Sequence, residues 1–376
     1  MSPLTCLSFS DFPQGVKGRN GEEDFTRALE GIYDAVFIPE LSEDAKTYIK
    51  KLSKSIFEIS IRKQQNRNPK SGPNRLLHSY LDALPHALAK DQPEQAQAMQ
   101  DLVAMILEDL VAMKNLPNVI PQDILPILHH MTNRFTALCL DEQWIRKSAG
   151  CSGIKLMTKT PDLAYRWIGE REGELVRTLL HIFKDLPLDV PRDIDNTIDI
   201  LLDVLRIGNS HLDFAGEGMP SARNKLINLM GIFFPEIQNS NPIVRQASQK
   251  CITYLVSLSG RPAVEWLLPH RDRMLSGIYT KPLRALPFPK QIGMIEAIRY
   301  CVSLEPPLVE LNEELLRLLH ETLALADAED IHLLGRGSVR QGTIEITKLR
   351  VACIRLLTAA MPITDFFSRQ TQTRQR

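Results

Sequence analysis

Residues 240–258 read Ser-Asn-Pro-Ile-Val-Arg-Gln-Ala-Ser-Gln-Lys-Cys-Ile-Thr-Tyr-Leu-Val-Ser-Leu. Pro242 stands where a helix begins, because its missing N–H falls among the donors that a first helical turn leaves unpaired anyway. Ser240 and Asn241 before it supply capping oxygens, and Val244, Ala247 and Cys251 then recur at helical spacing. The same period runs through Leu102, Ile106, Leu110 and Met113, through Ile124, Leu128, Met131, Phe135 and Leu138, and through Ile194, Ile198, Leu201, Leu202 and Leu205. It returns at Leu308, Leu311, Leu315, Leu318, Leu319 and Leu325. Pro121, Pro191 and Pro262 mark further helix starts. Only Thr343 to Thr347 alternates as a strand would, and it runs into a helical pattern. About a dozen helices joined by short loops make this an all-α protein.

The helices repeat. Cys251, Cys301 and Cys353 lie 50 and 52 positions apart, opening the phrases Cys-Ile-Thr-Tyr-Leu, Cys-Val-Ser-Leu and Cys-Ile-Arg-Leu-Leu. A second register matches Val244-Arg245-x-Ala247 to Leu349-Arg350-x-Ala352, three residues out of step with the first. An apolar-Arg-x-Ala opening after a Leu-rich helix resembles the second helix of a HEAT unit, at a period somewhat above the usual ~40–47 residues. One helix pair cannot bury its apolar stripe alone, so such pairs stack into a continuous core. The expected architecture is an irregular HEAT-like α-solenoid of stacked antiparallel helix pairs.

Composition narrows the function classes. The 376 residues carry 45 basic and 45 acidic side chains, so the uniform positive field of a dedicated nucleic-acid binder is missing. Neutrality is a sum of opposed patches: residues 303–333 hold eight acids against Arg317, and residues 334–376 hold eight bases against Glu345 and Asp365. Residues 1–20 lack a basic and apolar leader pattern and read as a turn-rich, poorly ordered segment. Residues 21–376 are then the helical repeats, with basic loop insertions near 62–75 (Arg62, Lys63, Arg67, Lys70, Arg75) and 333–346, the latter holding Gly335-Arg336-Gly337-Ser338-Val339-Arg340-Gln341-Gly342.

No constellation assembles a catalytic centre. The 335–342 loop has no Gly-Lys-[Ser/Thr] ending and follows a Leu-rich helix where a nucleotide-binding fold would need a strand. His129 and His130 are adjacent on a helix, about 100° apart, and cannot share a metal as an i,i+4 pair does. Gly150-Cys151-Ser152-Gly153 resembles a nucleophile turn, but no strand precedes it, and a break between two helices accounts for its glycines. The carboxylate pairs Glu313-Glu314 and Glu329-Asp330 read as solvated helix surface. The six scattered cysteines read as reduced, small hydrophobes. The phrase Tyr165-Arg166-Trp167-Ile168-Gly169-Glu170-Arg171 is either a partner anchor or inter-repeat core under an arginine lid. We therefore expect no catalytic, cofactor-binding or metal residues, and no cofactor.

Two stretches carry a family resemblance: residues 164–176, Ala-Tyr-Arg-Trp-Ile-Gly-Glu-Arg-Glu-Gly-Glu-Leu-Val, and residues 333–376, LLGRGSVRQGTIEITKLRVACIRLLTAAMPITDFFSRQTQTRQR. Both, with the stretch from Phe233-Phe234-Pro235-Glu236 to Leu258, resemble the HEAT region of the transformation/transcription domain-associated protein (TRRAP) family of giant pseudokinases. The resemblance implies a nuclear scaffold in a SAGA-type histone acetyltransferase and coactivator complex, docking transcription activators or complex subunits. It supplies no catalytic residue, and it makes the chain a segment of a longer array. Its partners would be proteins, with no small-molecule substrate, no membrane and no direct nucleic-acid binding. The alternative is another HEAT-type adaptor or a nuclear transport receptor.

Overall fold

The computed structural model describes residues 19–65, 74–160, 164–186, 191–214, 218–333 and 339–363. Among them every regular element is helical. The chain divides into two compact units, one of residues 1–185 with 195–210, the other of 186–194 with 211–376.

The first unit holds α1 (Arg19–Ala35), α2 (Ser42–Gln65), α3 (Arg75–Leu88), α4 (Pro93–Ala112), α5 (Pro121–Cys139), α6 (Trp144–Thr158), α7 (Ala164–Asp185) and the part of α8 (Pro191–Gly208) from residue 195. The packing is next-but-one. Helix α3 lies on α1 and on α5, and α5 on α7, while α4 lies on α2 and on α6. Odd helices therefore form one layer and even helices another, with α5 on α6 and α3 on α6 closing the core between them. These are HEAT-like helix pairs. Leu102, Ile106 and Leu110 of α4 and Ile124, Leu128 and Met131 of α5 are all buried there, as their spacing requires.

The second unit holds α9 (Met219–Phe233), α10 (Pro242–Ser259), α11 (Ala263–Tyr279), α12 (Phe288–Val302), α13 (Glu313–Asp327), the short α14 (Asp330–Leu333) and α15 (Val339–Ala360). Here α9 packs on α11, and α15 on both α12 and α13. Pro121, Pro191 and Pro242 are first helical residues, while Pro262 is the residue before α11. Asn241 Oδ1 accepts from Ile243 N at 2.9 Å and Asn312 Oδ1 from Leu315 N at 2.8 Å, capping α10 and α13.

The arginine register is the one with a structural meaning. Arg245 Nη1 donates to the carbonyls of Asn239 (2.6 Å) and Ser240 (3.0 Å), just before its own helix. Arg350 donates to the Ala328 carbonyl at the end of α13 (2.7 Å) and pairs with Asp330 (2.6 Å). Val244, Ala247, Leu349 and Ala352 are buried beside them. Each arginine thus donates to a carbonyl just past the end of an earlier helical element, where the helix leaves carbonyls without intrahelical partners. Cys251, Cys301 and Cys353 share burial and nothing more specific.

Three readings are corrected. Thr343–Thr347 is helical, because Ile346, Leu349, Cys353 and Leu356 set a helical register that buries all four. The glycines at 150 and 153 lie inside α6 and break nothing. A Cβ on Gly150 would stand 2.7 Å from Cys139 Sγ, and one on Gly153 would overlap the Phe135 ring, so the glycines let α6 approach α5 closely. The two basic loops are shorter than expected: Arg62 and Lys63 end α2, Arg75 opens α3, and residues from Val339 onward are helix α15. Residues 1–18, 66–73 and 334–338, which hold the rest of these expected segments, lie outside the described residues, whereas Arg19 and Asn20 open α1.

Gly153→Ala is therefore expected to destabilise the protein by about 1–3 kcal/mol through overpacking. Gly293→Ala should do the same, since its Cβ would stand 2.7 Å from the Asn239 carbonyl oxygen. Gly31→Ala and Gly169→Ala, helical positions with open space around them, should gain up to about 1 kcal/mol. Thermal melts of the four variants check the contrast.

Candidate interaction surface

The residues that could suggest chemistry are tied into the packing. Cys151 is buried in α6 against Cys139, whose thiol is pushed well up by its hydrogen bond with Cys151 and by burial. Burial also holds the Cys301 and Cys353 thiols up at about 12. A protonated, enclosed thiol is a poor nucleophile. Among the described residues no group of His, Cys, Asp and Glu side chains could hold a metal ion. No helix among them is long and apolar enough to cross a membrane.

The adjacent histidines staple the odd layer in opposite directions. His129 Nε2 lies 2.9 Å from a Glu170 carboxylate oxygen on α7. His130 lies 3.2 Å from Asp82 on α3 and stacks on His78 with ring centroids 4.2 Å apart. Arg134, one turn on, donates to the second Asp82 oxygen at 2.7 Å. Burial raises the Asp82 pKa, but the His130 hydrogen bond and the Arg134 charge outweigh it and hold the carboxyl below its usual range. Trp167 and Ile168 are fully buried, and Arg171 donates to the His129 carbonyl at 2.9 Å. The Tyr165–Arg171 phrase is thus inter-repeat core with an arginine lid, and Tyr165 and Arg166 remain at its surface, 2.8 Å apart. Of the carboxylate pairs, Asp330 is the ion-pair partner of Arg350 already described, and Glu313 and Glu314 open α13.

A surface groove lies in the second unit. The N-terminal end of α10, the first turns of α12 and the middle of α15 enclose an open groove of about 590 Å³. Pro242, Pro289, Ile292, Val351 and Ala352 form its apolar floor. Around it stand Arg245, Lys348 and Arg355 with Glu296 and Glu345. Both carboxylates are neutralised locally, Glu345 by Lys348 at 2.9 Å and Glu296 by Arg299 at 2.7 Å. Arg245 spends its donors on carbonyls, and burial pulls its pKa down. Arg355 is exposed and has no carboxylate partner among the described residues. The groove therefore offers apolar contact beside uncompensated positive charge. Sequence reasoning found the basic stretch and missed the groove, whose signal was the pairing of Lys348 and Arg355 on one face of α15, seven residues apart.

A family model described as the Tra1 HEAT repeat ring region matches residues 7–376. The SAGA complex/NuA4 acetyltransferase complex subunit TRA1 of Saccharomyces cerevisiae is 31% identical over 366 residues, covering 93% of this chain and 10% of that protein. The subunit Tra1 of the same complexes in Schizosaccharomyces pombe is 36% identical over 256 residues, 67% of this chain and 7% of that protein. The human transformation/transcription domain-associated protein is 21% identical over 365 residues, 89% of this chain and 9% of its own length. The chain thus spans about a tenth of the length of these relatives.

The Asp82 staple gives a pH test. Because folding lowers its pKa, Asp82 contributes stability that is full above the unfolded carboxylate value of ~3.9 and is lost as pH falls through the folded value. Asp82→Asn should cost on the order of 1 kcal/mol at pH 7. The gap from the parent protein should narrow as pH drops below ~4, as chemical denaturation across that range would read.

Proposed function

Because this chain belongs to the Tra1 HEAT repeat ring family, we propose that it is a scaffold segment of a SAGA-type histone acetyltransferase and coactivator complex in the nucleus. It is a repeat region and not a catalytic domain. Two relatives are by name subunits of the SAGA and NuA4 acetyltransferase complexes, which supports the complex as its setting. Its work is to present surface. The finer reading is that the α10–α12–α15 groove docks a transcription activator through a short amphipathic segment bearing carboxylates. The observation that supports it is the apolar floor beside Arg355, whose charge no described carboxylate answers. Apolar anchors would fill the floor, while carboxylates reaching Arg355 would set orientation and on-rate more than raw affinity. Small molecules, membranes and nucleic acid stand outside this reading, since neither the zero net charge nor the groove chemistry calls for them.

A labelled acidic amphipathic peptide titrated against the protein tests this. Arg355→Glu should weaken binding by about tenfold, roughly 1.4 kcal/mol, and steepen its loss with salt less than the parent does. Val351→Asp should weaken it through the floor. Unchanged affinity in both variants would remove the groove from consideration.

A further inference from the structure

Residues 303–333 hold eight acids against Arg317, and they supply none of the groove's lining. Leu308 to Glu314 instead face the last turns of α11 across a second pocket, of about 600 Å³. Leu275 and Tyr279 of α11, with Leu308 and Val309 opposite, are buried and form its floor. The Leu308 N–H donates to the Cys301 carbonyl at 2.9 Å, and Asn312 caps α13, so the facing wall is tied down at both ends.

The charges around this floor do not cancel. Arg271 and Asp272 answer each other at 2.9 Å. Arg317 does not line the pocket and gives its guanidinium to the Tyr279 carbonyl at 2.6 Å. Glu310 and Glu314 are exposed and have no cationic partner among the described residues. The helix dipole accounts for Glu314, in the first turn of α13, but not for Glu310, which precedes that helix. A helix C-terminus favours cations, yet the last turn of α11, on the other wall, carries no basic side chain.

Tyr279 adds an independent observation. It is 8% exposed, and its hydroxyl is enclosed without a hydrogen-bond partner among the described residues. A buried hydroxyl left unpaired costs free energy that a ligand can return. Burial pushes its ionisation up, and Cys301 and Glu314 lie near enough to push it further, so the phenol stays neutral. Its lone pairs and the two carboxylates make the pocket a set of acceptors, and the matching ligand brings donors and positive charge.

We propose that the α11–α13 pocket docks a lysine side chain from a basic segment of a partner protein. The four-carbon stem lies along Leu275, Leu308 and Val309, and the ammonium donates to Tyr279 Oη, Glu310 and Glu314. Three freely rotating donors suit acceptors on three separate residues, whereas a guanidinium fork is matched to the two oxygens of one carboxylate. The pocket shares no residue with the groove, so this docking and the binding of an acidic segment there can fail separately.

A labelled peptide of alternating lysine and glycine, titrated against the intact protein, tests this beside a twin whose lysines are acetylated. Acetylation removes the charge and keeps the stem. The lysine peptide should bind about tenfold more tightly than the twin, and Glu310→Gln combined with Glu314→Gln should weaken it by about as much. Tyr279→Phe keeps the ring in the floor; it should weaken binding several-fold without lowering the melting temperature of the free protein. Glu94→Gln, at an exposed acid of α4 that does not line the pocket, should change nothing. The proposal is overturned by absent binding, by equal binding of the acetylated twin, or by unchanged affinity in the pocket variants. An equal loss in Glu94→Gln would also overturn it, since the attraction would then belong to the surface charge in general.

Discussion

A helix whose apolar stripe is wider than one neighbour can cover must take a second neighbour, and everything else in these two units follows from that. Helix α3 sits between α1 and α5, and α4 between α2 and α6, because neither can enclose its stripe within its own hairpin. Each Leu, Ile or Phe that becomes fully buried contributes about 1.5–3 kcal/mol, against roughly 1–2 kcal/mol of backbone entropy for every residue that is ordered. A single hairpin falls short on that comparison. A stack does not, since each added pair encloses residues on the pair before it.

The polar interactions serve the stack. Helix ends at the turns carry carbonyls with no intrahelical partner, and Arg245 and Arg350 answer them from helices that follow in the chain. Arg317 does so across the layer, donating to the Tyr279 carbonyl of α11 at 2.6 Å. His129 and His130 fix α5 against α7 and α3 at once. Groups used this way are spent. The same close packing that raises the buried thiols also removes the mobility and exposure that a nucleophile needs.

How much of this was legible in the sequence depends on what each residue's neighbours had to be. Helical period and the prolines at 121, 191 and 242 are local signals, and they placed the helices. Gly150 and Gly153 were misread because glycine marks either a break or a close approach, and only the position of Phe135 and Cys139 on another helix separates the two. Thr343–Thr347 alternates over too short a window to outweigh the buried Ile346–Leu349–Cys353 register that follows it. The paired Val-Arg and Leu-Arg openings were visible as a repeat, but their shared task on turn carbonyls is a tertiary fact. The groove escaped for the same reason, since its walls come from three helices far apart in the chain.

One helix gives the groove both its charge and part of its apolar lining. Lys348 and Arg355 lie seven residues apart and so share a face of α15, with Val351 and Ala352 between them. The packing of α15 on α12 and α13 holds these side chains in place, which lowers the entropy that a ligand in the groove must remove when it binds. A repeat region gains a recognition surface this way: a helix that buries one face in the stack presents the adjoining face to a partner.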